Sequence, residues 1–357
     1  MKLYTCAKCS NLLYFENTLC LNCDAVVGFD AGSLSMLALQ PGAGNVFTDI
    51  KNEKNAWRFC ANAEYKACNW IVPADSPVQF CVACNLNRTI PFTGKPENLA
   101  EWKRIEAAKH RLIYSLFRLH LPIEKKQGAA EAGLIFEFLE DNNPARKVIT
   151  QHDDGRIELN INEADEAQRV RNKLDLGEKY RTLLGHFRHE IGHYYWDVFY
   201  RHDEGAAEQF RTIFGDERTD YDTALKQYYA NGIPADWNNS FISQYATSHP
   251  WEDWAETWAH YLHISDALDT ACNWSVRLGE PANSVTPKSV ANDDSAQSFK
   301  DRISHEWLPL SQYLNAACRS LGEPDAYPYV LSPAVIDKLA FVQHAIVAWN
   351  SSYADID

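Results

Sequence analysis

The sequence predicts an α+β protein made of a small cysteine-rich region, residues 1–92, and a larger domain, residues 97–357, whose later part is mainly helical. Eight of the ten cysteines lie before residue 85. After the turn-rich segment 90–96, apolar residues recur at helical spacing in several long segments. Residues 147–161 alternate with period two around an Asp-Gly pair, which predicts a β-hairpin. A chain of 357 residues is long enough for two such domains.

Four cysteines near the start of the chain form two CxxC pairs. The pairs are Cys6-x2-Cys9 and Cys20-x2-Cys23. Two such pairs close together are typical of a tetrahedral structural zinc site with four thiolate ligands. A bound zinc contributes folding free energy, which a short segment with little core needs. The sequence therefore predicts a first structural zinc here.

A second set of four cysteines predicts a second structural zinc. Its members are Cys60, Cys68, Cys81 and Cys84. Only the last two form a CxxC pair, so ligation interleaved between the two sets is an alternative. Disulfide bonds are another, but they need an oxidising compartment. The first residues contain no apolar signal core, so the sequence favours a reducing cytoplasm and zinc-bound thiolates.

The charge of the chain limits its partners. The formal net charge is −14 at pH 7, whereas binding to phosphate needs a basic surface. We therefore expect no nucleic-acid partner. A mild basic cluster near Trp57 and Tyr65 is interpreted as a solvated face. No apolar run is long enough to span a membrane, and a protein partner bound through the cysteine-rich region stays open.

The pattern His189-Glu190-Ile191-Gly192-His193 carries the chemistry of the larger domain. Residues 180–200 contain no proline, and their apolar residues recur at helical spacing. On a helix, His189 and His193 lie one turn apart on one face, where both can reach a single Zn²⁺. Glu190 then lies beside the metal and can act as a general base on a bound water. An exposed helix with two incidental histidines is the alternative.

A catalytic zinc needs a third protein ligand. The extended pattern HExxHxxGxxH is excluded, because Trp196 and Phe199 occupy the places of its glycine and third histidine. The segment 249–262 offers Glu252 and Glu256 instead, which share a helix face at i, i+4. We predict Glu252 as the third ligand and Glu256 as the hydrogen-bond acceptor of a ligand histidine. A solvated acidic helix face is the alternative.

The HEIGH pattern followed by an acidic ExxxE helix resembles the gluzincin metallopeptidases, and residues 245–256 are similar to their lethal-factor-type branch. The whole chain resembles a bacterial family of zinc-ribbon proteins with a zinc-binding metallopeptidase domain. The resemblance implies a double zinc ribbon at residues 1–92 and a zincin-like fold for residues 97–357.

The same resemblance implies roles for one tyrosine and one strand. Tyr245, seven residues before Glu252, would assist the oxyanion, although a core tyrosine with a satisfied hydroxyl is the alternative. An edge strand just before the HExxH helix, at residues 156–161, would pair with an extended substrate. A plain hairpin without a substrate is the alternative there.

The sequence therefore predicts a cytoplasmic zinc metallopeptidase of gluzincin type with a peptide or protein substrate, one catalytic zinc and two structural zinc ions. Glu190 would take a proton from zinc-bound water and pass it to the leaving amine. One alternative is a non-catalytic binding or adapter protein whose zincin domain is vestigial. Another is a zinc hydrolase of a non-peptide amide. The presence of Glu190 favours an enzyme.

Overall fold

The chain folds into two units in a computed structural model that describes residues 2–128, 132–141, 148, 150–165, 182–279, 286–288 and 296–354. The first unit comprises Met1–Arg118 with Pro122–Asp175, and the second comprises Leu119–Leu121 with Leu176–Asp357. Both strands and helices occur, which confirms the prediction of a mixed chain. No helix in the described residues is long and apolar enough to cross a membrane.

The first unit contains all the strands of the described residues. They are β1 (Tyr4–Thr5), β2 (Leu12–Leu13), β3 (Val26–Asp30), β4 (Ser35–Pro41), β5 (Phe47–Asp49), β6 (Ala56–Phe59), β7 (Trp70–Pro73), β8 (Asn87–Thr89), β9 (Ile135–Leu139), β10 (Gln151–Asp153) and β11 (Arg156–Asn160). Two helices of this unit are α1 (Val82–Asn85) and α2 (Pro96–Arg118).

Strands β3 to β7 close into a small barrel that the sequence did not indicate. Neighbours in the chain pair antiparallel, and the parallel pair β3–β7 closes the ring. Phe29 and Trp70 are fully buried, with ring centroids 4.7 Å apart. Phe15 packs on Phe29 at 4.8 Å and on Tyr114 of α2 at 5.5 Å. This aromatic cluster joins the barrel to α2 in one core.

The remaining strands, β8 to β11, form a four-stranded sheet in the order β10-β11-β9-β8. Strands β10 and β11 confirm the predicted hairpin. Asp154 and Gly155 both have positive φ, at 48° and 78°, as the predicted two-residue turn requires.

The prediction that residues 156–161 form an edge strand is wrong. Strand β11 pairs antiparallel with β10 on one side and parallel with β9 on the other. Its backbone groups are therefore used within the sheet and cannot pair with a substrate strand. Period-two alternation shows which residues face the core, but it does not show which strands flank a given strand.

The second unit is mainly helical in its described residues. Its α-helices are α3 (Leu183–Tyr200), α4 (Glu204–Phe214), α5 (Tyr221–Asn231), α6 (Pro250–Asn273), α7 (Ala296–Arg302), α8 (Leu308–Ser320) and α9 (Pro333–Ala354). A 3₁₀ turn at Tyr245–Thr247 precedes α6.

Local sequence sets where α3 and α6 begin. The Thr182 side chain accepts the backbone N–H of Gly185 at 2.9 Å and caps α3. The His249 ring accepts the backbone N–H of Trp251 at 3.1 Å and caps α6, with Pro250 in the first turn. Both helix starts are therefore stabilised by a side chain that accepts a backbone N–H of the first turn.

Helices α3 and α6 approach each other closely at Gly192. The indole Nε1 of Trp254 donates to the Gly192 carbonyl oxygen at 2.8 Å, and Trp254 and Trp258 are fully buried. A Cβ atom at position 192 would lie 3.0 Å from the Ala255 Cα and 3.1 Å from the Trp258 Cβ. Gly192 therefore permits the contact that brings the HExxH helix against α6.

We expect Gly192→Ala to destabilise the protein, because the added methyl group forces the two helices apart. Overpacking of this kind costs about 1–3 kcal/mol in the free energy of unfolding. Urea denaturation at a fixed zinc concentration measures the change. The control is Gly205→Ala in α4, where the new Cβ would meet only Asp203 Oδ1 at 3.4 Å. That change should leave the stability equal or higher, and an equal effect of both substitutions would contradict the close approach at Gly192.

Candidate metal centres

The structure brings His189, His193 and Glu252 together between α3 and α6. One ligand atom of each lies within 4.8 Å of the other two. Glu252 Oε2 is 3.0 Å from His189 Nε2 and 3.5 Å from His193 Nε2. The side chain of Glu252 is 2% exposed, so this carboxylate is shielded from bulk water. The i, i+4 histidines and the first turn of α6 thus meet as the sequence predicted.

Glu256 orients His189. Its Oε1 lies 2.7 Å from His189 Nδ1. Because an ionised carboxylate only accepts hydrogen bonds, Nδ1 carries the proton. In a neutral ring the lone pair is then on Nε2, and it faces Glu252 Oε2 at 3.0 Å. Two acceptors this close need a cation or a second proton between them. Two imidazole nitrogens and one carboxylate oxygen are a ligand set of catalytic zinc, so these residues fit the ion.

The electrostatics of this cluster also favour a cation. Burial disfavours the charged form of His189, yet Glu252 and Glu256 raise its pKa well above the ordinary value. Burial likewise opposes ionisation of Glu252, but His193 and His189 hold its pKa well below the usual range. The carboxylate is therefore kept ionised by positive charge in the place where a metal ion would be bound.

Glu190 follows His189 directly on α3 and is 6% exposed. Its Oε1 lies 4.0 Å from Nε2 of His186, one turn earlier on the same helix. The structure thus places a buried carboxylate next to the histidine cluster. Its action as a general base stays a prediction.

Two tyrosines reach the cluster, and the sequence singled out one of them. The hydroxyl of Tyr221, the first residue of α5, donates to Glu252 Oε1 at 2.6 Å. Tyr245 has its ring centroid 6.0 Å from that of His189 and 6.1 Å from that of Tyr228, which also lies on α5. Burial and the charge of Glu252 raise the pKa of both phenols. Both therefore keep their protons near neutral pH. Tyr221 lies on another helix, and no spacing rule points to it.

The first cysteine set converges as predicted. The Sγ atoms of Cys6 and Cys23 are 3.8 Å apart, and those of Cys9 and Cys20 are 3.5 Å apart. All four lie within 4.8 Å of one another. Four thiolates bound to one tetrahedral zinc at about 2.3 Å are about 3.8 Å apart. The set therefore fits a zinc ion.

The second cysteine set converges separately from the first. Cys60, Cys68, Cys81 and Cys84 are all buried, and their Sγ atoms lie within 4.8 Å of one another. Ligation interleaved between the two sets is thus not what the structure shows. All ten cysteines of the chain lie in described residues, and none forms a disulfide. The separations between sulfurs again fit a metal ion bound by four thiolates.

Comparison with known sequences agrees with these clusters. The family described as "Putative zinc-binding metallo-peptidase" matches residues 98–345, more than half of the chain, and the chain therefore belongs to this family. A family described as a zinc-ribbon domain matches residues 3–94. Together with the cysteine clusters, the two families support zinc binding.

Mycobacterial proteins resemble nearly the whole chain. One from Mycobacterium bovis and one from Mycobacterium tuberculosis are each 40% identical to it over 349 residues. The match covers 97% of this chain and 95% of each relative, and both carry only the name "uncharacterized protein". No solved structure matches the chain significantly.

We expect Glu256→Ala to weaken zinc binding by the histidine cluster, because His189 loses the acceptor that fixes its tautomer. Loss of such a partner lowers metal affinity about 10–100-fold. Competition with a chelator of known affinity measures the change. Glu256→Gln is the matched control, since its amide oxygen can still accept from Nδ1, and it should retain more of the affinity than Glu256→Ala. Unchanged affinity in Glu256→Ala would show that this hydrogen bond does not support a metal ligand.

Proposed function

We propose that the protein is a zinc-dependent metallopeptidase of gluzincin type, with a zincin-like domain at residues 97–357. The convergence of His189, His193 and Glu252 beside Glu190 carries this proposal. Two histidines and one glutamate make three protein ligands, which leaves a fourth position for water or substrate. Membership of a zinc-binding metallopeptidase family supports the same class of activity. The lethal-factor-type branch remains part of the proposal on the strength of residues 245–256.

Bound zinc would polarise the scissile carbonyl and lower the pKa of a coordinated water to about 7. Glu190 would accept the proton of the attacking water at a carboxylate oxygen and then give it to the leaving amine. Its low exposure excludes most bulk water, so its charge acts at short range with little screening. These are the steps that hydrolysis of a peptide bond requires.

The two tyrosines would have different tasks. Tyr221 holds Oε1 of Glu252 and leaves Oε2 directed at the two histidines. It would therefore act as a positioning residue for the metal ligand. Tyr245 keeps its proton and would donate it in a hydrogen bond to the developing oxyanion.

The proposal also assigns structural zinc ions to the two cysteine sets, which with the catalytic zinc gives three ions per chain. Ten cysteines without a disulfide, eight of them proposed as zinc ligands, suit a cytoplasmic location. A peptide or protein would be the substrate, and the cysteine-rich region could bind a protein partner. The adapter protein and the hydrolase of a non-peptide amide both predict no peptide cleavage in the experiment that follows.

We expect Glu190→Gln to retain zinc and to lose peptide cleavage, because the amide cannot accept the proton of water. Removal of a general base lowers the rate about 10²–10⁴-fold. A digest of a broad peptide library by the wild type and the variant, read by mass spectrometry, measures cleavage. Metal analysis of the same samples is the control. Equal cleavage by both proteins would remove Glu190 as the base. No cleavage by zinc-loaded wild type would contradict the peptidase and favour the adapter protein or the hydrolase of a non-peptide amide.

We expect Tyr221→Phe and Tyr245→Phe to affect different quantities. Tyr221→Phe removes a donor to Glu252 and should lower zinc affinity about 10-fold. Tyr245→Phe should leave zinc affinity unchanged and lower kcat about 10²–10³-fold, as loss of an oxyanion donor does. Chelator competition and peptide kinetics on both variants test this division. If Tyr221→Phe lowers only kcat while Tyr245→Phe lowers only affinity, the two roles are reversed.

A further inference from the structure

His110 lies against the second cysteine set, although it is 26 residues beyond Cys84 on helix α2. Its Nε2 is 3.3 Å from Cys68 Sγ and 3.7 Å from Cys84 Sγ. The third sulfur, Cys81 Sγ, is 4.0 Å away. The residue is 4% exposed. Position 110 falls in the segment that matches the metallopeptidase family, outside the segment that matches the zinc ribbon.

The other ring nitrogen of His110 determines what Nε2 can do. Nδ1 lies 2.6 Å from the backbone carbonyl oxygen of Glu106. A carbonyl oxygen only accepts, so Nδ1 carries the proton, and the neutral ring presents its lone pair at Nε2. Histidines that bind metals usually have this arrangement, with the second nitrogen donating to a carbonyl or a carboxylate. The lone pair of His110 Nε2 points at three sulfurs, where it can coordinate a metal ion that these sulfurs bind.

Helix α2 is fixed at this point by a buried charge network. The carboxylate of Glu106 is fully buried and pairs with Lys109 at 2.9 Å. It also accepts from Asn87 Nδ2 at 2.6 Å and from Trp102 Nε1 at 3.1 Å. Because these contacts restrain the turn that carries His110, the ring is held in place beside the sulfurs.

The distances fit a ligand of the same ion. A nitrogen at about 2.0–2.1 Å and a sulfur at about 2.3 Å from one tetrahedral zinc are about 3.5 Å apart. The three separations of His110 Nε2 from sulfur lie around this value. The four sulfur ligands of a zinc ion form a tetrahedron. A donor that is close to three of these sulfurs lies over the triangular face that they form. Here the face is that of Cys68, Cys81 and Cys84, and Cys60 is the opposite corner.

We infer that His110 is a fifth donor of the second metal centre. Cys68, Cys81 and Cys84 hold the zinc throughout, and the fourth position is taken by Cys60 or by His110. The centre therefore keeps its zinc when the Cys60 thiolate is absent. It also ties α2 to the cysteine-rich region. The inference rests on the proposed structural zinc and is independent of peptidase activity.

Zinc stoichiometry in full-length variants tests the inference. Cys60→Ala and His110→Ala should each keep the zinc of the second centre, whereas the double variant should lose one zinc per chain. Cys68→Ala should lose one zinc by itself, and so should Cys20→Ala in the first centre. Loss of one zinc in Cys60→Ala alone, or full retention in the double variant, would overturn the inference.

A second measurement needs no cysteine variant. When the Cys60 thiolate dissociates transiently, His110 holds the metal, so His110→Ala should lose zinc to a competing chelator about 10-fold faster. Leu112→Ala is the matched control, because Leu112 is fully buried on the same helix and its truncation also leaves a cavity. An unchanged rate in His110→Ala, or an equal increase in both variants, would refute a ligand role. Peptide cleavage plays no part in either readout, so failure of the proposed peptidase activity would be seen separately.

Discussion

The close packing of α3 against α6 is the contact on which the candidate active site depends. Gly192 lacks the Cβ that would separate the helices, and its carbonyl oxygen accepts from the Trp254 indole. One turn of α3 then carries both histidines to the first turn of α6, where Glu252 lies. The same residue pattern that contains two of the candidate zinc ligands thus contains the glycine that lets the third candidate, Glu252, approach. Catalytic geometry and helix packing are therefore coupled through five consecutive residues.

In both centres, a buried histidine nitrogen faces a group that can bind a metal ion. His189 donates its Nδ1 proton to Glu256, so the lone pair on Nε2 faces the Glu252 carboxylate. His110 donates its Nδ1 proton to the backbone carbonyl of Glu106, so the lone pair on Nε2 faces Cys68 Sγ. Two acceptors that face each other in a low-dielectric interior are unfavourable unless a cation or a proton joins them. In both histidines, the hydrogen bond that Nδ1 donates leaves the lone pair of the neutral ring on Nε2.

Much of the candidate site could be predicted from the sequence because it depends on short-range periodicity. An i, i+4 spacing places His189 and His193 on one face, and the same spacing places Glu252 in register with Glu256. The CxxC pairs work in the same way, because a tight turn brings both sulfurs to one ion. The prediction for strand 156–161 failed because pairing with β9 connects segments that are distant in the sequence. The barrel of β3 to β7 was missed for the same reason.

By itself, the sequence determined the mixed helix-and-strand composition, the two cysteine sets and the candidate ligands His189, His193 and Glu252. These features follow from spacing within one helix or one turn. Only the tertiary structure decided that Tyr221 holds Glu252, that β11 lies inside its sheet and that His110 reaches the second cysteine set. Each of those contacts joins residues on different elements. Their distance in space is set by packing and by buried hydrogen bonds, which no local pattern records.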